Sequence, residues 1–525
     1  MLSKEDIRNL LELRFSNDIH KKLSQIPTPS ALKDIFKGAM RIKEAMQKDE
    51  LIVIVGDYDV DGVVSSVILA EFFDDLGVGN YQVRIPNRFK DGYGLNPDII
   101  EELDENVKLI ITVDNGISAN DAAQICKARG IDLIITDHHM PPPVMPEAYA
   151  IINPKQPGCT FPNIEICGAE VAWYLAGALK DVCKLNNYDM SKFLELLAIA
   201  IIADMMELRD MNRMLVRLGL NRLNSSKRAA FRAIKEFYGK DKFECDDISF
   251  LIAPLINSAG RMDDAMNSFD FLRAKTIDKA YDYLDMIIDF NNSRKEEERA
   301  LFECSLKDVR DDDEIIVTWG EQWHEGVIGI VASRLAKHFS KPAIVFSIDR
   351  GRAKGSARSI GKLDILALIA KHEDLLNSYG GHKGAAGLVI APENLQKFKE
   401  EINKSCFLMD LHQFASSDEL LGDISAKEID FELLEILELY EPYGQKNPRP
   451  IFRIDGAVVK NEKLIGRDQN HLKLILQKDD KTLEALFFNF TRHVKVGESI
   501  NIIFSISKNS FRGLVTPQLL IREVL

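Results

Sequence analysis

LIVIVGDYDVDG, residues 51–62, is the stretch whose reading decides the fold. Its first five residues are apolar on both faces and mostly β-branched, which describes a strand covered on both sides. The strand runs directly into glycine and three alternating aspartates. YQVRI (81–85), KLIITV (108–113), DLIIT (132–136) and AYAII (148–152) repeat the apolar pattern, and helical patterns at 63–76 and 118–129 separate them. Strands alternating with helices predict a doubly wound, parallel α/β sheet.

Working outward, residues 1–48 read as a helical, mostly polar segment interrupted at Pro27, Thr28, Pro29 and Ser30. The chain turns helical from about 168 to 310. MSKFLELLAIAIIADMMEL (190–208) reads as a buried helix with a polar end. Thr276 to Val309 is charged and free of Gly and Pro, as expected of a helix bridging two domains. A second α/β unit follows in EIIVTWG (314–320), a helix over 326–339, and PAIVFSI (342–348). Two glycine-punctuated loops are expected next, GRAKGSARS (351–359) and GGHKGAAG (380–387). HLKLIL (471–476), LEALFF (483–488) and SINIIFSI (499–506) predict a small antiparallel barrel. The expected domains are therefore 1–48, 49–225, 226–310, 311–395, a linker at 396–419, and 420–525.

With 525 residues the chain is too long for one core. It has no apolar run of about 18 residues and no secretory leader pattern, so a cytoplasmic protein without a membrane span is expected. Seven scattered cysteines, none spaced Cys-x-x-Cys, argue against a disulfide framework or a zinc ribbon. The net charge of −14 speaks against an extended nucleic-acid coat, yet residues 451–525 carry 12 Lys/Arg against 8 Asp/Glu. An acidic body with a basic end suits an enzyme that holds a polyanion locally.

The chemistry gathers at strand ends. The first strand delivers Asp57, Asp59 and Asp61, the third Asp114, and the fourth Asp137, His138 and His139. In open parallel sheets ligands bind outside these carboxyl ends. Five carboxylates on one rim cannot stay ionised together without cations. Carboxylates mixed with imidazole suit Mn²⁺ better than Mg²⁺, and two such ions are the arrangement that hydrolyses phosphodiesters. A calcium loop is a competitor for Asp-x-Asp-x-Asp-Gly, but it needs a glutamate at its twelfth position, and VVSSVIL (63–69) supplies none.

GDYDVDG, VDNG and TDHH, in that order on successive strands, resemble the DHH phosphoesterase superfamily. PNRFKDGYG (86–94), NSAGRMDDA (257–265), WHEGVIGIVASRLA (323–336), KGSARS (354–359), GGHKGAAG and EPYGQKNPRPIF (441–452) narrow the resemblance to the RecJ family, bacterial 5′→3′ exonucleases specific for single-stranded DNA. The resemblance implies a DHH catalytic domain, a helical connector, a DHHA1-like second domain and an OB-fold-like barrel. It implies two divalent ions, Mn²⁺ favoured and Mg²⁺ possible. Asp59 and Asp114 would serve one ion; Asp61, Asp114, His138 and Asp204 would serve the other. Asp57 would be a further ligand or a supporting carboxylate, Asp137 would orient the imidazole of His138, and His139 would face the scissile phosphate.

Many superfamily relatives carry a metal-binding histidine four residues before the aspartate at 59, where this chain has Val55. Read from residues alone, Asp204 is a solvated acid at a helix end; only the resemblance makes it a ligand. Arg88, Arg261, Ser356, Arg358, Gly380, Gly381 and His382 would hold the phosphates of the strand. Phe487, Phe488, Phe490 and Phe504 could stack on bases or fill the barrel core. Single-stranded DNA is the implied substrate, single-strand-binding protein and a DNA helicase the implied partners, and a monomer is expected. The alternatives are a DHH-type hydrolase of short oligonucleotides or cyclic dinucleotides, and a non-catalytic single-strand-binding scaffold.

Overall fold

The apolar pentad at 51–55 forms a strand because both of its faces are covered: four of its five residues are buried. In the computed structural model it is β1 (Leu51–Val55), the second strand of a five-stranded sheet. The structure describes residues 1–310, 312–407, 420–466, 469–490, 492–511 and 514–525. β2 (Tyr81–Arg84), β3 (Val107–Val113), β4 (Asp132–Thr136) and β5 (Ala150–Ile152) complete the sheet, in the order β2-β1-β3-β4-β5 and parallel throughout. Strand order reverses between β1 and β3, so a crevice opens at their carboxyl ends. The aspartates at 57, 59 and 114 follow these two strands.

The chain forms two compact units. One comprises Pro27–Asp204 and Gly219–Ser417 and contains this sheet, the helices around it and a second sheet. The second sheet has β6 (Ile316–Glu321), β7 (Ala343–Asp349), β8 (Arg352–Arg358), β9 (Leu376–His382) and β10 (Ala385–Ile390), ordered β6-β7-β8-β10-β9. Only β6 and β7 pair in parallel. The two glycine-punctuated stretches expected as loops are therefore largely strands. KGSAR lies in β8, and GGH and AAG form the facing arms of the β9–β10 hairpin, with Gly387 opposite both Gly380 and Ser356. Glycine is compatible with a strand where backbones must approach closely, which composition alone does not reveal.

The helix Ile277–Ser305 is long and charged, and its Leu301 and Phe302 join the core formed by β6, β7 and the helix Glu325–Phe339. The expected linker at 396–419 is corrected over its described part. Leu395–Phe407 is a helix whose Phe398, Ile402 and Cys406 are buried in the core of the second sheet. The rest of that stretch, 408–419, lies outside the described residues.

The other unit comprises Met1–Ile26, Met205–Leu218 and Asp418–Leu525. The segment expected at 1–48 is thus split at the Pro27 break. β11 (Leu420–Asp423), β12 (Ile451–Ile465), β13 (His471–Lys478), β14 (Lys481–Phe487), β15 (Ser499–Phe511) and β16 (Leu514–Val524) run in the order β11-β12-β13-β14-β16-β15, and a β12–β15 pairing closes the barrel. The barrel is not wholly antiparallel, because β14–β16 and β11–β12 pair in parallel. Phe487 and Phe504 are core residues, Phe490 packs against the core, and Phe488 is half exposed. Leu2 pairs with Ile424, and Ile7 and Leu11 of the helix Lys4–Arg14 enter the barrel's core. Among the described residues no helix is long and apolar enough to cross a membrane, and all seven cysteines are free.

Candidate active site

Asp59 ends the β1 turn in extended backbone and caps the helix Val60–Asp75, its Oδ1 accepting from the Gly62 amide at 3.1 Å. Gly62 must be glycine, since a Cβ there would lie 2.5 Å from the backbone of Asp57. Asp61 is the second residue of the same helix, fully buried, and its two oxygens accept the Gly168 and Ala169 amides at 2.6 and 2.8 Å. These amides open the helix Gly168–Val182, whose positive end favours a carboxylate. Asp114 follows β3 at φ 64°, a left-handed conformation rare outside glycine and common at functional positions. Gly168 makes room for it, because a Cβ at 168 would lie 2.5 Å from the Asp114 side chain.

The sequence candidates converge. Ligand atoms of Asp57, Asp59 and Asp114 lie within 4.8 Å of one another, as do those of Asp61, His138 and Asp204. His138 Nε2 stands 3.2 Å from Asp114 Oδ1, 3.6 Å from Asp204 Oδ2 and 3.8 Å from Asp61 Oδ2. Asp114 Oδ1, Asp204 Oδ2 and both ring nitrogens of His138 are buried without a hydrogen-bond partner. Buried polar atoms are normally paired. Three of them, the two carboxylate oxygens and His138 Nε2, face one another, which is the signature of a cation site. Asp204 caps the helix Leu194–Ala203 and is largely covered, so it is no solvated helix end. Val55 is buried in the sheet core, and Asp57 fills out the group on that side.

The electrostatics agree. Burial, then the neighbouring carboxylates, pushes Asp57, Asp114 and Asp204 well above the usual range and Asp61 up to about 6. Burial and the charge of His139 push His138 down to about 3, leaving its imidazole neutral, the form that binds metal. Asp137 departs from the expectation. Its Oδ1 accepts from the backbone amides of His138 and His139 at 2.7 and 3.0 Å and from His139 Nδ1 at 2.7 Å; Oδ2 accepts from the Ile117 amide. It therefore orients the ring of His139, not that of His138, because the carboxylate folds back over its own turn. Burial alone would raise Asp137, but the hydrogen bond and charge of His139 outweigh it and hold it at about 2. The same pairing outweighs burial at His139 and pushes it up to about 9.

A basic cluster complements the acidic one within this unit. Arg88 lies over the Tyr58 ring at 4.0 Å, with a buried Nε that has no partner. Arg261 donates to the Gly326 carbonyl at 3.2 Å and is pushed down to about 9 by burial and by Arg88, Arg294 and Arg358. Arg358 donates to Ser356 Oγ at 3.0 Å and is lowered by burial and by Arg88. Gly329 leaves space for this pair, since a Cβ there would meet Arg358 Nη2 and Ser356 Oγ at 2.9 Å. His382 accepts the Gly384 amide and is lowered by burial, then by the charges of Arg358 and His139. Gly381 has φ 143° and no space for a Cβ beside Ala385, whereas Gly380 is open to solvent. Guanidiniums gathered without matching carboxylates call for an anion, and phosphate fits their fork.

Sequence reasoning missed the groups behind the ligands. Glu170 is fully buried and accepts the Cys167 amide in a capping box, setting the helix end that grips Asp61; burial and Asp61 push it up to about 8. The Cys-Gly-Ala-Glu spacing at 167–170 was its only signal. Asn115 bridges the sheet by donating to the Val55 and Val113 carbonyls.

Residues 51–201 match the DHH family N-terminal domain, 312–406 the DHHA1 domain and 422–523 the RecJ OB domain. The single-stranded-DNA-specific exonuclease RecJ of Haemophilus influenzae is 31% identical over 536 residues, covering 96% of this chain and 93% of the relative. The chain belongs to the RecJ family. The RecJ of Bacillus subtilis is 33% identical across 96% of this chain, which spans 65% of that relative's length. RecJ of Thermus thermophilus in complex with Mn²⁺ superposes with a TM-score of 0.84 at 25% identity, covering 99% of this chain and 76% of that one. A RecJ exonuclease bound to manganese gives 0.64 at 30% identity, over 74% of this chain and 97% of that one.

Proposed function

We propose that this chain is a divalent-metal-dependent 5′→3′ exonuclease that hydrolyses single-stranded DNA to 5′-mononucleotides, in DNA repair and recombination. One observation carries the reading: a cluster that demands cations and a cluster that demands anions lie in one compact unit, with His382 in the field of both Arg358 and His139. The RecJ relatives give the polymer and its single-strandedness.

Asp57, Asp59 and Asp114 would hold one ion, and Asp61, Asp114, His138 and Asp204 the other; the imidazole favours Mn²⁺, with Mg²⁺ possible. Such ions supply an activated water and neutralise charge developing on the phosphoryl group. His139 has Nδ1 committed to Asp137 and is charged at neutral pH, so its Nε2–H is available to the scissile phosphate. Asp137 keeps that proton in place. Arg88, Arg261, Arg358, Ser356 and His382 hold the 5′ phosphate, and fixing the end beside the reaction centre makes the product a mononucleotide. The closed barrel favours a polymer over a dinucleotide, because an OB-type surface binds an extended strand. Single-strand-binding protein and a helicase are the expected partners, in the cytoplasm.

The test is digestion of single strands labelled at either end, with and without a 5′ phosphate. Loss of the 5′ label as mononucleotide before the 3′ label supports the reading. Release from the 3′ end, or cleavage of dinucleotides alone, contradicts it.

A further inference from the structure

The helices Val60–Asp75 and Leu194–Ala203 bring Asp61 and Asp204 to one group of candidate ligands. Little that is polar lies between them. Glu195 is the one polar residue of LELLAIAIIA (194–203), and between Asp61 and Glu71 the other helix offers only Ser65 and Ser66. Ser66 donates to the Gly62 carbonyl of its own helix and Ser65 has no partner, so neither ties the two helices together. Apolar burial is non-directional, whereas metal–ligand distances hold to about 0.2 Å. The directional tie lies at the far ends. Arg228 donates from Nη1 and Nη2 to the two oxygens of Glu71 at 2.6 and 3.0 Å, and from Nε to Glu195 Oε1 at 3.1 Å. Nη1 also donates to the Leu272 carbonyl at 2.7 Å. The three side chains are nearly buried, none more than 12% exposed.

Asp61 stands ten residues before Glu71 and Asp204 nine after Glu195, spans of about 15 and 14 Å of helix. The helices are therefore an antiparallel pair, pinned by Arg228 at one end and carrying Asp61 and Asp204 at the other. Asp75 and Lys192 also meet near the pinned end, but in solvent, where an ion pair fixes little. Taking three charges out of water costs stability, and the best-attested return on such a group is register. We propose that Arg228 is a positioning residue for the reaction: it sets the register of the two helices and, through it, the separation of Asp61 from Asp204. The planar fork of arginine holds both oxygens of Glu71 while Nε reaches Glu195, which the ammonium of lysine cannot reproduce. The proposal rests on the nuclease reading above and adds a group that acts about 15 Å of helix away from the ligands it places.

The experiment uses the full chain in two variants. Arg228→Met combined with Glu71→Gln and Glu195→Gln removes the tie without leaving a buried charge; Arg228→Lys keeps the charge and loses the fork. The group lines a cavity of about 620 Å³, which gives the altered side chains room and water. Calorimetry with Mn²⁺ alone should show one of two ions bound about tenfold more weakly, the loss typical of a group that supports a ligand. The ion at Asp57, Asp59 and Asp114 should keep its affinity. On 5′-phosphorylated single strands kcat should fall about tenfold or more with KM unchanged, and Arg228→Lys should lose less than the triple variant. Wild-type Mn²⁺ binding and kcat in the triple variant, or equal weakening of both ions, overturns the positioning role. Should the triple variant not fold, Arg228→Lys decides on the same two measurements. A wild type that binds two ions but degrades no strand overturns the nuclease reading, and calorimetry then decides the register by itself.

Discussion

Nε2 of His138 lies 3.2 Å from Oδ1 of Asp114, and neither atom has a hydrogen-bond partner. Two buried, electron-rich atoms turned towards each other are stable only with a positive charge to share. Most of the site's expected behaviour follows from that pair.

Asp114→Ala should abolish cleavage, by about three orders of magnitude or more given the size of single-residue losses in concerted sites. Folding should survive, since the change removes a repelling charge. Thermal melting without metal is expected to hold or rise, while digestion of a 5′-labelled strand in Mn²⁺ disappears. A variant that digests at the normal rate would remove Asp114 from the reaction.

Stability should depend on pH and metal together. Asp57, Asp61, Asp114 and Asp204 bind protons more tightly folded than unfolded. Their contribution is fully present below the unfolded value and is lost as pH rises through the folded values, from about 4 through 6 for Asp61 and with the same sign for the others. The Tm increase produced by Mn²⁺ should accordingly be small at pH 5 and grow towards pH 8, with protons released on binding. Melting in EDTA and in Mn²⁺ across that range checks it; a metal effect independent of pH would count against the cluster.

Asp137→Asn should free the His139 ring. His139 sits at about 9 because of that carboxylate, so its value should fall towards the free-imidazole range. The alkaline limb of the pH–rate profile would then move to lower pH. An unmoved limb would mean that His139 carries no proton used in the reaction.

Gly329→Ala probes the cradle without touching a metal candidate. Its Cβ would push on Arg358 and Ser356 from 2.9 Å. KM for 5′-phosphorylated strands should rise about tenfold or more, as expected for a disturbed charge-assisted contact. Mn²⁺ affinity should stay constant, and the preference over 5′-hydroxyl strands should shrink. Calorimetry with Mn²⁺ alone and kinetics on both strands separate these effects.

The sheet was legible because short β-branched runs, apolar on both faces and alternating with helices, fit little besides a covered parallel sheet. β1, β3 and β4 carry their aspartates at its carboxyl rim. Asp204 was not legible from its neighbourhood, since one acid after an apolar helix looks the same whether it faces water or His138. The partner of Asp137 escaped for a different reason: adjacent histidines differ only in how the turn points them. The β9–β10 hairpin was hidden by glycines that serve close backbone approach as readily as a loop. Phe487 and Phe504 against Phe488 show strand alternation deciding between core and surface within a few residues.

The pairing of Leu2 with Ile424 has a consequence for biosynthesis. The helix Lys4–Arg14 is made before residues 27–417, yet the partners of its Ile7 and Leu11 belong to the barrel, whose strands are made after them. The sheets at 51–152 and 316–390 can close while that helix still waits. Deleting Lys4–Arg14 or deleting β16 should therefore produce the same defect, an unfinished barrel with the catalytic unit finished.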